Sequence, residues 1–368
     1  MKAAPLLCIA GGGTGGHVMP ALALADAARE KWNSLDVVFI GVERGLEARL
    51  LPERGETVLL LRMHSIQGAA LMQKLRVLLW ELPKSVLQIH RYWKTRRPNL
   101  VVGVGGYAST TGVIAAVLSR IPVILYEQNA VPGLVNRKLA PFCQRIMLGF
   151  AAAAGRLPLA KCSITGNIVN DSLSRVNRQF HQPPRLLVLG GSQGARFLNE
   201  TVPKACALLV SHGLLFTVSH IAGPKPDNIH AVKQAYAEAG IDVHVLGFCN
   251  DMPAFYTNGD LLIARAGAMT VSEAAMCGMP SVFIPLPHAA DQHQLYNARS
   301  MAEHGGARIV EQHEASVEQL AASIKALLFD RNVLDAMSRS ARDFAPLDAK
   351  KKQLAVLGEV LGSQESDT

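Results

Sequence analysis

One stretch of the sequence decides the fold: Leu6-Leu7-Cys8-Ile9-Ala10-Gly11-Gly12-Gly13-Thr14-Gly15-Gly16-His17. Its apolar run predicts a buried strand, and the run from Pro20 to Ala25 predicts a helix with proline in its first turn. Glycines at such a junction permit positive φ and close approach, while the unpaired amides and the dipole of the helix favour an anion. The stretch therefore predicts a strand, a glycine loop and a helix that together bind an anion.

His17 stands at the mouth of this loop. An imidazole titrates near neutral pH and can take a proton from a nucleophile, which makes His17 a candidate general base. A histidine in this place can equally cap or hydrogen-bond the loop. The residues by themselves leave both interpretations open.

Short runs rich in Val, Ile and Leu recur between helical patterns, and this alternation is typical of a parallel sheet wound with helices. The first half predicts further strands at residues 37–40, 58–61, 100–104, 123–126 and 146–148. The pattern restarts near residue 185 with a second glycine loop, Gly190-Gly191-Ser192-Gln193-Gly194-Ala195. The second half predicts strands at residues 185–189, 214–218, 243–246, 261–264 and 281–284. The expected fold class is α/β, with two Rossmann-like domains whose parallel sheets face across a cleft and bind ligands at the carboxyl ends of their strands.

The length of 368 residues is about twice that of a typical domain, so two domains with separate cores are expected. Hydrophobic residues make up 49% and charged residues 18%, which is a globular rather than a disordered composition. We expect the first domain at residues 1–166 and the second at residues 167–345. A helix near residues 346–361 can pack back on the first domain.

The six cysteines are scattered without a C-x-x-C pair, which indicates thiols in a reducing compartment rather than a metal site or disulfides. Too little apolar sequence precedes the glycines for a secretory signal, so we expect a cytoplasmic protein. Residues 100–119 are uncharged and long enough to span a bilayer, but their glycines and hydroxyl side chains favour a strand, a turn and a helix. No transmembrane span is predicted.

The second half contains a more specific arrangement, in which the strand at residues 261–264 runs through Gly267 into a helix. The amides of Ala268, Met269 and Thr270 would then point at an anion, and the Glu273 carboxylate can accept hydrogen bonds from two vicinal hydroxyls. This pattern predicts a ribose-diphosphate site. Glu273 can also be an ordinary first-turn acid that complements the helix dipole.

A polar cluster, Asp291-Gln292-His293-Gln294, suits the hydroxyls of a sugar. His288, Asp291 and His293 are possible metal ligands. They lie on one loop with no clear fourth ligand, so we expect no metal there.

A basic segment between Arg62 and Arg97 holds eight cationic residues against Glu81 alone, a net +7 of the formal +8. Such a segment with an apolar face is how a helix lies on an anionic bilayer. The alternative is an amphipathic helix whose apolar stripe belongs to the core. Nucleic acid is not expected as a partner, because no recognised binding module accompanies the charge and the pI of about 9.3. The candidate membrane residues are Lys74, Leu75, Arg76, Leu78, Leu79 and Trp80.

Six loops, in unbroken order between about residues 6 and 300, resemble the successive signatures of the MurG family. They are Gly11 to His17, Gly103-Val104-Gly105-Gly106-Tyr107, Glu127-Gln128-Asn129, Gly190 to Ala195, Arg265 to Glu273, and Asp291 to Ala298. That family transfers N-acetylglucosamine (GlcNAc) from UDP-GlcNAc to undecaprenyl-diphospho-N-acetylmuramoyl-pentapeptide in peptidoglycan synthesis. The resemblance implies a GT-B fold and an inverting transfer that makes lipid II from lipid I with no required metal or cofactor.

The resemblance also implies roles for matched residues. Glu273 would hold the uridine ribose, and the backbone at Cys249 would read uracil. His17 becomes the leading candidate for general base on the acceptor 4-hydroxyl. Inversion needs one displacement, so no enzyme nucleophile is required. The diphosphate would lie on Ser192 and the amides of Ala268, Met269 and Thr270, the GlcNAc on Asn129, His293 and Gln294, and the acceptor side on Thr14, Gly15 and Gly16. The other matched substrate-binding positions are Gly105, Gly106, Tyr107, Asn170, Gln193 and Gly194.

Two departures from the family pattern affect the donor site. The family reads Gly-Asn-Pro-Val-Arg where this chain has Gly166-Asn167-Ile168-Val169-Asn170, so a cationic contact to the nucleotide is missing unless Arg175 or Arg265 supplies it. The family's His-Gln pair appears here as His220-Ile221.

The expected partners are UDP-GlcNAc, lipid I and an anionic membrane surface at the cytoplasmic face of the bacterial inner membrane. Other proteins of cell-wall synthesis are further candidate partners. A UDP-sugar epimerase of similar fold would explain the nucleotide site but not the basic segment. A nicotinamide-dependent oxidoreductase is disfavoured because the acidic residue it needs after the second strand is not cleanly placed: Glu43 lies past Gly41 in a loop. A non-catalytic nucleotide-sugar sensor is a further alternative, because Asn170 stands where the family has an arginine.

Overall fold

The computed structural model describes residues 4–13, 15–64, 70–175 and 178–362, leaving aside the side chains of residues 74, 174, 175 and 290. The chain forms two compact units, one made of Met1–Ile168 and Leu347–Thr368 and the other of Val169–Pro346. These bounds lie close to the predicted domain limits.

Unit 1 is built on a seven-stranded parallel sheet with the strand order β3-β2-β1-β4-β5-β6-β7. The order reverses between β1 and β4, which is the topological switch point of a doubly wound fold. The strands are β1 (Leu6–Gly11), β2 (Asp36–Val42), β3 (Val58–Leu61), β4 (Leu100–Gly105), β5 (Val123–Glu127), β6 (Arg145–Leu148) and β7 (Cys162–Ile164).

Helices cover both faces of this sheet. Because side chains alternate along β1, Leu7 and Ile9 enter one hydrophobic cluster while Cys8 and Ala10 enter another on the opposite face. The helices are α1 (Gly15–Lys31), α2 (Glu47–Glu53), α3 (Leu71–Arg76), α4 (Leu82–Thr95), α5 (Gly106–Leu118) and α6 (Leu134–Leu139), with a π-helix at Val77–Glu81 between α3 and α4.

The start of α1 differs from the prediction. We expected Pro20 in the first turn, but the helix begins at Gly15 and contains Pro20 in its interior. The two glycines after the loop adopt helical geometry, so the first turn lies five residues earlier than the proline signal indicates.

Unit 2 has a six-stranded parallel sheet with the order β10-β9-β8-β11-β12-β13, and its switch point lies between β8 and β11. Its strands are β8 (Arg185–Leu189), β9 (Thr217–Ile221), β10 (Val243–Leu246), β11 (Leu261–Ala264), β12 (Ser281–Phe283) and β13 (Ala307–Ile309). Its helices are α7 (Arg196–Ser211), α8 (Pro226–Glu238), α9 (Met252–Thr257), α10 (Ala268–Met276), α11 (His293–Ala302), α12 (Val317–Leu328) and α13 (Arg331–Phe344).

Helix α14 (Ala349–Gly362) returns the chain to unit 1. Its residues Leu354 and Leu357 join the hydrophobic cluster that contains Leu7. The Gln353 amide donates to the Gly166 carbonyl at 2.7 Å, which fastens the helix beside the end of the first unit.

The predicted and observed strands differ at three places. The strand expected at residues 214–218 is β9, three residues later, and two three-residue edge strands, β7 and β13, were not expected. Residues 100–119 form β4 and α5, as predicted. Across the described ranges, no helix is both long and apolar enough to cross a membrane. All six cysteines are free thiols.

Candidate functional site

Two glycine loops meet at the switch point of unit 1, one after β1 and one after β4. At Gly106 a Cβ would lie 2.6 Å from the Gly12 carbonyl oxygen, and at Gly105 it would lie 2.8 Å from Nε2 of His17. Both glycines have left-handed φ, +101° at Gly105 and +79° at Gly106. Only bare backbone lets the second loop approach the first loop and the imidazole this closely.

His17 therefore lies in the first turn of α1 with its ring against the second loop, and it is partly exposed. Gly15 and Gly16 begin the same helix, and Gly106 and Tyr107 begin α5. The structure thus brings all of these predicted residues of unit 1 to one place. Thr14 lies outside the described residues.

A carboxylate of the protein itself binds the first glycine loop at Gly13. The fully buried Glu47 accepts hydrogen bonds from the Gly13 amide at 2.7 Å and from the Val42 amide at 2.9 Å. We predicted that the backbone amides of this loop bind an external anion. That prediction is wrong at Gly13, whose amide donates to Glu47. Helix α1 begins after this contact in the chain, with Gly15 and Gly16 in its first turn. Nothing local in the sequence indicated that Glu47 is buried.

A second buried carboxylate shapes the loop after β5. Glu127 accepts hydrogen bonds from the backbone amide and the side-chain amide of Asn129, from the Gly133 amide and from the Asn136 side chain, at 2.8 to 3.2 Å. Asn129 is thereby held at the carboxyl end of β5. Sequence reasoning assigned Asn129 a sugar contact and assigned Glu127 no role of its own.

In unit 2 the loop after β8 packs on the turn after β9. A Cβ at Gly194 would lie 2.3 Å from the Ala222 carbonyl oxygen, so glycine is required for that contact. Ser192 and Gln193 stand exposed on the same loop, at the switch point beside β11.

Across that switch point, α10 begins at Ala268, directly after the Gly267 N-cap. The amides of Ala268, Met269 and Thr270 belong to its first turn, where they have no partner within the helix. Glu273 is the sixth residue of α10, so the interpretation of it as a first-turn acid is wrong.

The Glu273 carboxyl accepts a hydrogen bond from the Tyr256 hydroxyl at 3.0 Å. Burial raises the pKa of Glu273 from its ordinary value of 4.5 to about 7, against the opposing effect of that hydrogen bond. Tyr256 is fully buried on α9. The carboxyl therefore changes charge in the neutral pH range.

Cys249 lies in the turn before α9. Its thiol contacts the Asp251 carbonyl at 3.3 Å, and the Asp251 carboxylate caps α9 through the Ala254 amide at 3.0 Å. The backbone that we expect to read uracil is thus held next to the helix that positions Tyr256.

The polar cluster before α11 is a tight loop. Asp291 and Gln292 both have left-handed φ, and α11 begins at His293. The Gln294 side-chain oxygen accepts from the Leu286 amide at 3.0 Å, and the Asn297 amide donates to the Ala266 carbonyl at 3.1 Å. The second bond links α11 to the loop before α10. Within the part of the chain that the structure describes, no group of three His, Cys, Asp or Glu side chains could hold a metal.

Arg265 is held by groups of its own unit. Its buried guanidinium donates to the carbonyls of Ile284 and Pro285 at 2.9 and 3.1 Å and to Gln312 at 2.6 Å. The exposed Asn170 accepts from the Ser172 amide at 2.9 Å and so starts a short 3-10 helix. The side chain of Arg175 lies outside what the structure describes.

His220 is a structural residue of unit 2. It is fully buried, and its two ring nitrogens lie 3.1 Å from the Tyr236 hydroxyl and 3.0 Å from the Asn199 side-chain oxygen. Burial lowers the pKa of His220 to about 3, so the ring stays neutral at physiological pH. The histidine links β9 to α7 and α8.

The segment from α3 to α4 divides into an exposed part and a core part. Ile89 and Trp93 on α4 are buried in the core, as the alternative interpretation expected for this stripe. Most apolar side chains before α4 instead face solvent, including Trp80 at 76% and Met72 at 79% exposure, whereas Val77 is buried in the core. We call the exposed set the apolar patch; it consists of Leu71, Met72, Leu75, Leu78, Leu79 and Trp80.

Charged groups lie beside the apolar patch. Arg76 contacts the Glu81 carboxylate at 3.3 Å, and His64 contacts the same carboxylate at 2.9 Å. The side chain of Lys74 lies outside the described residues. The apolar patch thus spans α3 and the π-helix and lies next to charged side chains.

Residues 7–148 match the glycosyltransferase family 28 N-terminal domain, and residues 185–355 match the family 28 C-terminal domain. Each unit is a parallel sheet with glycine loops at its switch point, and the chain is a glycosyltransferase of the GT-B fold.

Within this class the chain belongs to the MurG family, and the resemblance expected from the loops is confirmed. A relative from Aeromonas hydrophila is 39% identical over 350 residues, 94% of each chain, and is named UDP-N-acetylglucosamine–N-acetylmuramyl-(pentapeptide) pyrophosphoryl-undecaprenol N-acetylglucosamine transferase. The crystal structure of Acinetobacter baumannii MurG is similar with a TM-score of 0.79 and 30% identity, and the match covers 96% of this chain and 99% of that one.

A putative UDP-N-acetylglucosamine 2-epimerase from Listeria monocytogenes has a similar structure, with a TM-score of 0.69 over all of this chain and 98% of that one. It is only 16% identical, so the likeness concerns the fold. The epimerase alternative thus has support from the fold alone. The oxidoreductase alternative has none from the family. Glu43 lies in the turn directly after β2, where it is paired with Arg62 at 2.8 Å.

Proposed function

We propose that the chain transfers GlcNAc from UDP-GlcNAc to the N-acetylmuramoyl 4-hydroxyl of undecaprenyl-diphospho-N-acetylmuramoyl-pentapeptide, converting lipid I to lipid II with inversion. The observation that carries this proposal is the similarity over 94% of both chains to a relative named for that transfer. The switch-point loops of the two units supply residues suited to its two substrates.

Unit 2 holds the donor. Glu273 binds the ribose hydroxyls, and the first-turn amides of α10 bind the diphosphate together with Ser192, Gln193 and Gly194. The backbone near Cys249 reads uracil. His293, Gln294 and Asn129 contact the sugar, and Asn170 stands where the family has a cationic residue. The loops described above support these roles, because Ser192, Cys249 and the first turn of α10 follow the carboxyl ends of β8, β10 and β11.

Unit 1 holds the acceptor, with Gly15, Gly16, Gly105, Gly106 and Tyr107 near the reacting hydroxyl. His17 takes the proton of the 4-hydroxyl as its oxygen bonds to C1 of GlcNAc. The bond from C1 to the β-phosphate oxygen breaks in the same displacement. The first-turn amides and dipole of α10 stabilise the charge that appears on the departing UDP.

The apolar patch and the cationic side chains around it bind the membrane that carries the lipid acceptor. Exposed Leu and Trp side chains enter the interface, and each nearby cation adds about 1 kcal/mol on an anionic leaflet. The reaction then takes place at the cytoplasmic face, which suits the six free thiols because reducing compartments keep thiols free.

The decisive experiment is a transfer assay with labelled UDP-GlcNAc and a short-chain lipid I analogue in detergent. Label in the lipid together with released UDP supports the transferase. Binding of UDP-GlcNAc without transfer would instead favour a nucleotide-sugar sensor or a different acceptor. Conversion of UDP-GlcNAc with no lipid present would favour the epimerase.

A further inference from the structure

Glu47 is a buried acid for which the proposed reaction provides no role so far. It is the first residue of α2, and its two carboxylate oxygens accept from two backbone amides, Gly13 at 2.7 Å and Val42 at 2.9 Å. One amide belongs to the glycine loop after β1, and the other ends β2. The carboxylate therefore ties the glycine loop to the neighbouring strand from inside the protein.

Three glycines enclose this carboxylate. A Cβ would lie 2.1 Å from Oε1 at Gly12, 2.4 Å from Cγ at Gly41 and 2.2 Å from Oε2 at Gly45, all far below the 3.0 Å that real Cβ atoms keep. Glycine is needed at these positions because Glu47 occupies the space. The glycines around the first loop thus leave room for a side chain of the protein and not only for a substrate.

The segment held by Glu47 leads directly to His17. Gly13 lies two residues before α1, which carries His17 in its first turn. The Gly12 carbonyl lies against Gly106, and the His17 ring lies against Gly105. A shift of Gly12 and Gly13 would therefore move both the imidazole and its contact with the second loop.

We propose that Glu47 is a positioning residue for His17. Its carboxylate holds the first glycine loop so that the imidazole and the first turn of α1 meet the acceptor in one geometry. Glu47 acts through the loop, since it is buried beneath it. The inference rests on the proposed transfer reaction. Misplacing a catalytic group by about 1 Å can slow a reaction about 100-fold, so such support affects turnover strongly.

The first test is Glu47→Gln, which keeps the size of the side chain but turns one acceptor oxygen into an amide donor that faces a backbone N–H. We expect kcat to fall about tenfold or more while the Kd for UDP stays unchanged, because the donor residues lie in the other unit. The matched control is Glu53→Gln, an exposed glutamate on the same helix, which should keep the wild-type kcat.

Gly45→Ala provides a second variant, because its Cβ displaces the carboxylate without removing it. If Glu47→Gln does not fold, Gly45→Ala is compared with wild type in its place. Gly45→Ala should show the same fall in kcat with unchanged UDP binding. A lower melting temperature with wild-type kcat at 25 °C in the folded variants would overturn the proposal, because Glu47 would then only stabilise the fold.

Amide hydrogen exchange separates this inference from the proposed function. If the wild-type protein transfers no GlcNAc, the proposed function is wrong. The hold of Glu47 on the loop is then tested by the rate of amide hydrogen exchange at residues 11–17. Faster exchange there in Glu47→Gln, with unchanged exchange in unit 2, supports its hold on the loop. Unchanged exchange at residues 11–17 refutes it.

Discussion

Glu273→Gln should stabilise the protein at pH 8 and leave its stability almost unchanged at pH 4. In the folded protein burial holds the pKa of Glu273 at about 7, against 4.5 for the ordinary group. The unfolded chain therefore loses this proton at a lower pH than the folded protein does. Stability from this group is fully present below pH 4.5 and is lost as the pH rises through about 7.

The magnitude follows from the displacement of the pKa. At 1.36 kcal/mol for each pKa unit, moving from 4.5 to about 7 makes ionised Glu273 unfavourable by about 3 kcal/mol; because the residue is partly exposed and solvent screens its charge, we expect about 2 kcal/mol. Glutamine removes that penalty and still accepts the hydrogen bond from Tyr256 through its carbonyl oxygen.

The measurement is urea unfolding of wild type and variant at several pH values between 4 and 8, followed through the transition of unit 2. The difference in free energy of unfolding should grow with pH and level off above about pH 7. A variant that is less stable than wild type at pH 8, or a difference that does not depend on pH, would refute the reasoning. The same variant should bind UDP weakly, because an amide accepts from ribose hydroxyls less well than a carboxylate.

Three other outcomes are expected. His17→Ala should lower kcat about 100- to 10,000-fold while UDP-GlcNAc binding measured by calorimetry stays unchanged, and an equal loss of both would show that the ring only shapes the loop. Reversal of charge at Lys74 and Arg76 should weaken binding to anionic vesicles, and this loss should be smaller at high salt. If vesicle sedimentation shows binding that depends on neither the charge reversal nor the salt concentration, the segment does not contact membranes. Gly106→Ala should destabilise the protein by more than about 1 kcal/mol, because its φ of +79° and the contact with the first loop both exclude a Cβ. Thermal unfolding that matches wild type would contradict this.

Much of the fold could be predicted because its signals are local. Apolar runs followed by glycine loops marked β1, β4, β8 and β11, and these four strands form the two switch points. The edge strands β7 and β13 have only three residues each, which is too short for a recognisable pattern. In β9 the polar Ser219 and His220 interrupt the apolar run, so the strand was placed too early.

The candidate site was less predictable where a role depends on distant contacts. Glu47 follows Arg44 and Gly45 in a charged turn, and its burial depends on β1, β2 and their loops, which are far apart in the sequence. Arg265 shows the converse: the sequence makes it a candidate for the missing nucleotide contact, but its guanidinium donates to two carbonyls in the turn after β12. Sequence patterns reveal which backbone segments meet, but not which polar side chain fills the space between them.

The return of α14 to unit 1 has a consequence for synthesis on the ribosome. Gln353 and the leucines of α14 complete a unit whose seven strands lie before residue 165, so unit 1 cannot close until the whole of unit 2 has been translated. At about 5–20 residues per second, the intervening segment takes roughly 10 to 40 seconds to emerge. The nascent chain therefore exposes the apolar side chains that later pack against α14, and we expect a chaperone to cover them during that interval.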